Sequence, residues 1–486
     1  MRRKLVVIAS CAHALFALVA LEGRAASAPA ADLDTRRKAL RDLLAEQWEH
    51  TLQTSPEFAS SLGDRRWNDQ LSEVSPAAIE REIASTRAFL ARFEAIDTSG
   101  FPEQEALDKT LMVRDLRLTL DTVRFEGWLM PLNQVGGIHL YSIELATTGP
   151  FETVKDYDDY VARLRALPRQ FDGTIERLRA GMAKGLMPPK VVLERVPAQA
   201  REVADAKPEE SPFAAPLASF PEAVPAAERP RLRAAVLAAI REAVAPAYVR
   251  FADFVAKEYL PRGRNDVGLW ALPDGEARYA MVAASSTSTA MTPDEIHQLG
   301  RREVARIEEE MKAVARRLGY ADLKSLDAAI AADPKLHAQT AERLLDLYRG
   351  YTAGMQAKLP ELFGRLPKAA LEVKPMETTR SPSAPPAGYT PGSPDGKRPA
   401  RIEVNVFEPE KRTTLNAETT CYHEGIPGHH LQIALAQELP TLPPFRQNAY
   451  YTAYTEGWAH YAESLAREAG FYADPYSLYG HLQRQM

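Results

Sequence analysis

Three of the chain's ten histidines fall within eight residues, in Tyr422-His423-Glu424-Gly425-Ile426-Pro427-Gly428-His429-His430, and a glutamate directly follows the first. Twenty-six residues past His430 stands Glu456, in Glu456-Gly457-Trp458-Ala459-His460-Tyr461-Ala462-Glu463. Two imidazoles and a later carboxylate are the donor set of a hydrolytic zinc site. A carboxylate beside the first imidazole is the base such a site uses. In the HExxH arrangement, two histidines one helical turn apart reach one metal, and the glutamate between them takes a proton from the attacking water. A third ligand comes from elsewhere, and a fourth position stays open.

This chain departs from that spacing. Position 427 is proline, and the partners for His423 are His429, six residues on, and His430, seven on. On an unbroken helix, at ~100° per residue, His430 returns to the face of His423 and His429 points away. Pro427-Gly428 argues against an unbroken helix, and in a kinked one angular counting selects neither. Glu456, His460 and Glu463 fall on one helical face, in a stretch whose apolar positions are Tyr450, Tyr454, Trp458, Tyr461 and Leu465. One of the three can ligate while another orients a ligand from behind; a solvated ion-pair face is the competing reading. Cys421, two residues before His423, reads as a small core residue.

Helices must position these groups. Apolar residues recur at helical spacing over Leu40–Leu52, Ile79–Phe93, Leu107–Leu118 and Tyr157–Ile175, and helices are also expected over Leu232–Tyr259, Asp294–Leu318, 322–332 and 339–359. Thr292-Pro293-Asp294-Glu295 is a helix start, with a cap, a first-turn proline and acids near the positive end. Lys207 to Arg231 holds six prolines and predicts a long surface connection, a candidate lid. Pro375 to Pro399 is rich in Pro, Gly and Ser, with a turn at Pro394-Asp395-Gly396-Lys397. Arg401 to Phe407 then alternates polar and apolar as a strand would. An exposed edge on that strand could pair with an extended peptide. The fold class expected is mainly α, multi-helix, with a small β-sheet beside the site helix.

The 486 residues allow roughly two to four domains. A net charge of −5 carries no electrostatic footprint for nucleic acid. Met1-Arg2-Arg3-Lys4, the apolar run Leu5 to Leu21 and the small residues Ala25 to Ala31 make residues 1–30 a secretory signal peptide. The protein is therefore expected in the periplasm or outside the cell, with no membrane span after signal removal. Cys11 falls too early in the apolar run for a lipoprotein cleavage site, so lipid anchoring is not the expectation.

His423-Glu424-Gly425-Ile426-Pro427-Gly428-His429-His430-Leu431-Gln432, followed by Glu456-Gly457-Trp458-Ala459, resembles the bacterial family catalogued as domain of unknown function 885. Thr292 to Gly300 and Val404-Asn405 support the likeness, which covers most of the mature chain. That family in turn resembles zinc metallopeptidases of the HExxH clan, with a wider spacing before the second histidine. The resemblance implies His423, His429 and Glu456 as zinc ligands and Glu424 as general base. His429 is preferred because Gly428-His429 matches the Gly-His that closes the motif in related peptidases, and His430 would then line the site. It also implies a two-lobed fold: an N-terminal helical region at 31–280 and a metallopeptidase-like catalytic region at 281–486. Because Tyr476 to Met486 ends inside a helical pattern, that region reads as truncated. Tyr389, Tyr450 and Tyr454 are candidate oxyanion donors, and Asn405 and Tyr389 candidate substrate contacts. The function expected is an exported zinc peptidase acting on peptide substrates. The alternatives are a zinc hydrolase of a non-peptide amide or ester, and a non-catalytic exported binding protein. Oligomeric state is left open.

Overall fold

The computed structural model describes residues 32–376, 384–394 and 396–486. The signal-peptide reading at 1–30 lies outside the described residues, as do 377–383 and Asp395 of the Pro-rich stretch.

Helix α1 (Leu33–Thr54) is capped by Asp32, whose carboxylate accepts the Thr35 N–H. Its Leu40, Leu43 and Leu44 share a core with Phe89 and Phe93 of α2 (Pro76–Glu94) and with Met112 and Leu116 of α3 (Glu103–Val123). Helix α4 (Val154–Ala183) opens on a Thr153/Asp156 capping box. It buries Tyr157, Tyr160, Leu164, Leu167 and Phe171 against α5 (Val196–Asp205), α6 (Arg229–Ala239) and α7 (Ala245–Phe254).

The Pro-rich stretch 207–231 is not a surface lid. Its prolines do exclude a long helix, leaving a short turn at Pro212–Leu217, but Phe213, Leu217 and Val224 are buried in the same core as α4. Tyr160 donates its hydroxyl to Phe213 O (2.9 Å) and Tyr157 donates to Pro216 O (3.1 Å). Prolines carry no N–H to satisfy, so the segment can lie flat on α4 with tyrosines meeting its carbonyls.

After α8 (Gly275–Thr287), α9 (Pro293–Arg317) begins with the expected capping box between Thr292 and Glu295. Helices α10 (Leu323–Ala332) and α11 (Ala341–Leu362) lead to three strands: β1 (Leu371–Pro375), β2 (Ala387–Thr390) and β3 (Ala400–Val404). The sheet order is β1-β3-β2, with β3 parallel to β1 and antiparallel to β2. The strand read from sequence is therefore central, with both edges paired, and it cannot receive a peptide. The outer strands are β1 and β2, and β2 carries Tyr389. The strand also ends three residues early, because Asn405 turns the chain: it is fully buried, donates to Ala384 O (3.0 Å) and accepts from the Phe407 N–H (3.1 Å). Asn405 shapes the exit from β3 and is not a substrate contact.

Four longer helices follow, α12 (Ala417–Glu424), α13 (His429–Gln437), α14 (Thr452–Glu468) and α15 (Pro475–Gln485), with a single helical turn at Pro444–Gln447 between α13 and α14. Ile402, Val404 and Cys421 pack with Leu345 and Tyr348 of α11, which sets α12 on the sheet. Burial pushes the Cys421 thiol up to about 12, in keeping with a core residue. Tyr479 and Leu482 of α15 pack on Ile307, Met311 and Val314 of α9 and Leu326 of α10. A Cβ at Gly480 would stand 2.1 Å from Leu415 O, so glycine lets α15 cross tightly before α12. No described helix is long and apolar enough to cross a membrane.

Candidate metal centre

The helix carrying His423 stops at Glu424, and a new one starts at His429. Between them Gly425–Gly428 forms a bulge closed by the His430 N–H donating to Gly425 O (2.9 Å). A Cβ on Gly428 would lie 2.0 Å from His423 O and 2.4 Å from Tyr422 O, so only glycine lets the bulge fold back on α12. This break brings His429, rather than His430, toward His423. One ligand-type atom each of His423, His429 and Glu456 lies within 4.8 Å of the other two. Glu456 Oε2 is 3.3 Å from His423 Nε2 and 3.8 Å from His429 Nε2.

His430 turns away, with both ring nitrogens occupied. Nε2 lies 3.1 Å from Ala369 O, and Nδ1 lies 3.1 Å from the Tyr389 hydroxyl. A carbonyl only accepts, so Nε2 carries the proton and Nδ1 accepts from Tyr389. Tyr389 thus spends its proton on His430 and ties β2 to α13; it is not placed as an oxyanion donor. Tyr450 also has a carboxylate partner, donating to Glu456 Oε1. Tyr454 is exposed, and its carbonyl accepts from Gln432 Nε2 (3.2 Å).

Residues 56–486 match the family described as "Bacterial protein of unknown function (DUF885)". The chain belongs to the DUF885 family. No curated protein matches it. Among solved structures it is similar to "the putative lipoprotein from Colwellia psychrerythraea", with 24% identity and a TM-score of 0.85, over 93% of this chain and 81% of that one. It is also similar to a "putative lipoprotein of unknown function from Shewanella oneidensis", with 16% identity and a TM-score of 0.59, over 94% and 81% of the two chains. At these identities the likeness shows the fold.

Behind the His/Glu cluster, the DUF885 chain builds a buried polar layer that sequence reading only partly anticipated. Of the three groups on the α14 face, Glu463 is the one behind a ligand candidate: fully buried, it lies 2.8 Å from His423 Nδ1. It also accepts from Thr419 Oγ1 (2.8 Å) and Arg484 Nε (3.1 Å). His481 Nδ1 lies 3.5 Å from Glu463 and 3.1 Å from Thr419 Oγ1. His460, on the same face, is half-exposed and 3.5 Å from Glu463. Thr419 stands one helical turn before His423 on α12, a spacing visible in the sequence, whereas His481 and Arg484 on α15 have no spacing relation to the histidine cluster. Arg484 also stands 3.7 Å from Glu424.

The electrostatics follow from this packing. Burial alone would depress His423, but hydrogen bonds to Glu456 and Glu463 push it up to about 9. Burial, with the charge of His423, takes His429 down to about 4. Burial likewise takes His430 down to about 4. The hydrogen bond from His423 lowers Glu456 to about 2. Burial opposes the ionised form of Glu463, yet hydrogen bonds from His423, His460 and His481 hold it well below the usual carboxylate range. Burial raises Glu424 to about 7. Carboxylates thus gather around His423, which carries a proton where a divalent ion would supply the counter-charge. The donor set of two imidazoles and one carboxylate fits zinc.

Proposed function

We propose that this DUF885 chain is a zinc-dependent peptidase. The observation that carries the reading is the convergence of His423, His429 and Glu456 beside the buried carboxyl of Glu424. On this reading the Gly425–Gly428 bulge is what lengthens an HExxH-like spacing while bringing the second histidine back to the first. Bound zinc supplies Lewis acidity, which polarises a carbonyl and acidifies water. Glu424 accepts the proton of the attacking water and returns it to the leaving amine; a carboxyl near 7 is suited to both transfers at neutral pH. Glu463 accepts the His423 Nδ1–H and so directs the Nε2 lone pair into the site. Tyr450 occupies Glu456 Oε1, which leaves Oε2 toward the imidazoles. Tyr389 of the outer strand β2 bonds His430 beside this cluster, and β2 is the strand this reading assigns an extended peptide to join. A core around α4 to α7 is distinct from those around the sheet and α12, in favour of a two-lobed division between residues 31–280 and 281–486, while Phe445 packs into the α1–α3 core and ties the two together.

The N-terminal leader supports export. Both solved relatives carry a lipoprotein description, which favours lipid anchoring over free release and makes Cys11 the thiol to test. Palmitate labelling that is lost in Cys11→Ser supports the anchor; labelling-free, released wild type removes it.

The central experiment measures zinc content and hydrolysis of a panel of peptides and acyl amides by the full chain. Expected are about one zinc per chain, chelator-sensitive peptide cleavage restored by zinc, and a Glu424→Gln variant that keeps zinc but loses cleavage. Cleavage confined to acyl amides would transfer the site to another hydrolase class. Zinc held equally by wild type and variant, with no hydrolysis by either, would make it a binding protein.

A further inference from the structure

The two imidazoles are not equally supported. His423 has Glu463 behind its Nδ1, at 2.8 Å. His429 has a buried Nδ1 with no hydrogen-bond partner among the described residues. Metal-ligating histidines ordinarily donate the second ring nitrogen to a carboxylate or carbonyl, which fixes tautomer and ring direction. With that support absent, the direction of the His429 ring is inherited from the backbone of the bulge that carries it.

Beyond its helical hydrogen bonds at either end and the packing of Ile426 against Met355, Leu359 and Ala466, three contacts act on the fold-back itself. The His430 N–H closes it on Gly425 O (2.9 Å), and Gly428 packs under the His423 carbonyl. Both of these contacts lie within the His423–His430 segment. The third comes from another helix: Trp458 Nε1 donates to Pro427 O at 2.8 Å. Trp458 lies on α14, two residues after Glu456. Its ring is braced between Phe363, with centroids 6.3 Å apart, and Tyr461, at 5.9 Å. One hydrogen bond thus ties the bulge that aims His429 to the helix that presents Glu456.

We propose that Trp458 is a positioning residue for the metal centre: its indole N–H, by holding the Pro427 carbonyl, sets His429 against Glu456 and thereby sets affinity for a divalent ion. The inference rests on the metal reading of the site and not on the peptidase reading. It also gives the Glu456-Gly457-Trp458 run a purpose beyond supplying a ligand.

The test compares the full-length wild type with Trp458→Phe and with a chain carrying β-(3-benzothienyl)alanine at position 458. In that analogue sulfur replaces the ring N–H with the bicyclic shape retained. Zinc affinity of the apoprotein is read by competition with a chromophoric chelator, ligand geometry by the visible bands of the cobalt(II) form, and packing by the thermal midpoint of the apoprotein. Both substitutions are expected to weaken zinc by about 10-fold or more, the usual effect of losing an outer partner in a metal site, and to shift the cobalt bands. The apo midpoint of the benzothienyl protein should fall by no more than the few degrees that one lost hydrogen bond costs. Wild-type zinc affinity in the benzothienyl protein overturns the proposal, whether or not Trp458→Phe is weakened, because the N–H would then be dispensable. A wild type that binds no divalent ion removes the metal reading and this inference together. A wild type that binds zinc but cleaves no peptide sinks only the peptidase reading.

Discussion

Replacing Glu463 with glutamine separates the metal site from the fold more sharply than changing a ligand would. The side chain is fully buried and keeps its shape in the amide, but loses its charge and one acceptor oxygen. Glu463 Oε1 alone receives both His423 Nδ1 (2.8 Å) and Arg484 Nε (3.1 Å). With the amide oxygen kept toward that pair, the NH2 can donate to the Thr419 hydroxyl, so the loss is the negative charge that His423 and Arg484 face. For the metal, changing the outer partner of a ligating histidine costs about 10- to 100-fold in affinity, or about 1.4–2.7 kcal/mol. For the fold, breaking a buried pair costs roughly 3–5 kcal/mol. Arg484 is partly exposed and keeps Glu424 at 3.7 Å. The expected loss is therefore nearer about 2 kcal/mol, after discounting for solvent. Because the native pKa of Glu463 lies well below the usual range, its stabilisation is complete at neutral pH. It is lost as pH falls below the unfolded carboxylate value of roughly 4.3 and on through the native pKa. The assays are chelator competition on the apoprotein and urea unfolding at neutral and acid pH. Unchanged zinc affinity alongside reduced stability would refute the link from Glu463 through His423 to the metal.

Three further outcomes are expected. His429→Ala should lose bound zinc by metal analysis, whereas His430→Ala should keep it and lose about 1–3 kcal/mol of unfolding free energy, because Tyr389 and Ala369 O are left unpaired; equal zinc loss in both would restore His430 as a ligand. Gly428→Ala places a Cβ 2.0 Å from His423 O, so zinc binding should fall by at least about tenfold as the bulge is forced open, and unchanged affinity would mean the bulge is dispensable. Burial takes His139 down to about 4 from an ordinary 6.5, so below pH 6.5 the unfolded chain binds the proton first. Wild type should therefore lose about 3 kcal/mol, at 1.36 kcal/mol per unit, between pH 6.5 and 4 relative to His139→Gln in urea unfolding; parallel pH profiles for the two proteins would exclude His139 as the cause.

The legible parts of this protein are those set by local spacing. Period-3.6 apolar residues announced the helices, and the Thr292/Glu295 box marked the start of α9 to the residue. The adjacency of His423 and Glu424 and the later Glu456 marked out the residues that the fold brings together. Where local pattern and tertiary burial disagreed, the pattern misled. The prolines of 207–231 signal exposure, but Phe213, Leu217 and Val224 between them found an apolar surface on α4 to cover. Alternation marked β3 as a strand but carries no information on its neighbours, so its central place was invisible. Asn405 looked available for substrate and proved committed to its own backbone surroundings.

The motif's donor types and its broken helix were determined by sequence alone, because Pro427 and Gly428 act on the backbone where they stand. Which imidazole joins His423 was decided by the fold. The bulge can close only where Gly428 fits beneath the His423 carbonyl and Trp458 meets Pro427 from α14. The layer behind the His/Glu cluster was likewise a tertiary outcome. Glu463, Thr419, His481 and Arg484 come from three helices, and only helix packing, which spacing along one chain does not encode, brings their charges and hydrogen-bonding groups onto His423 and one another.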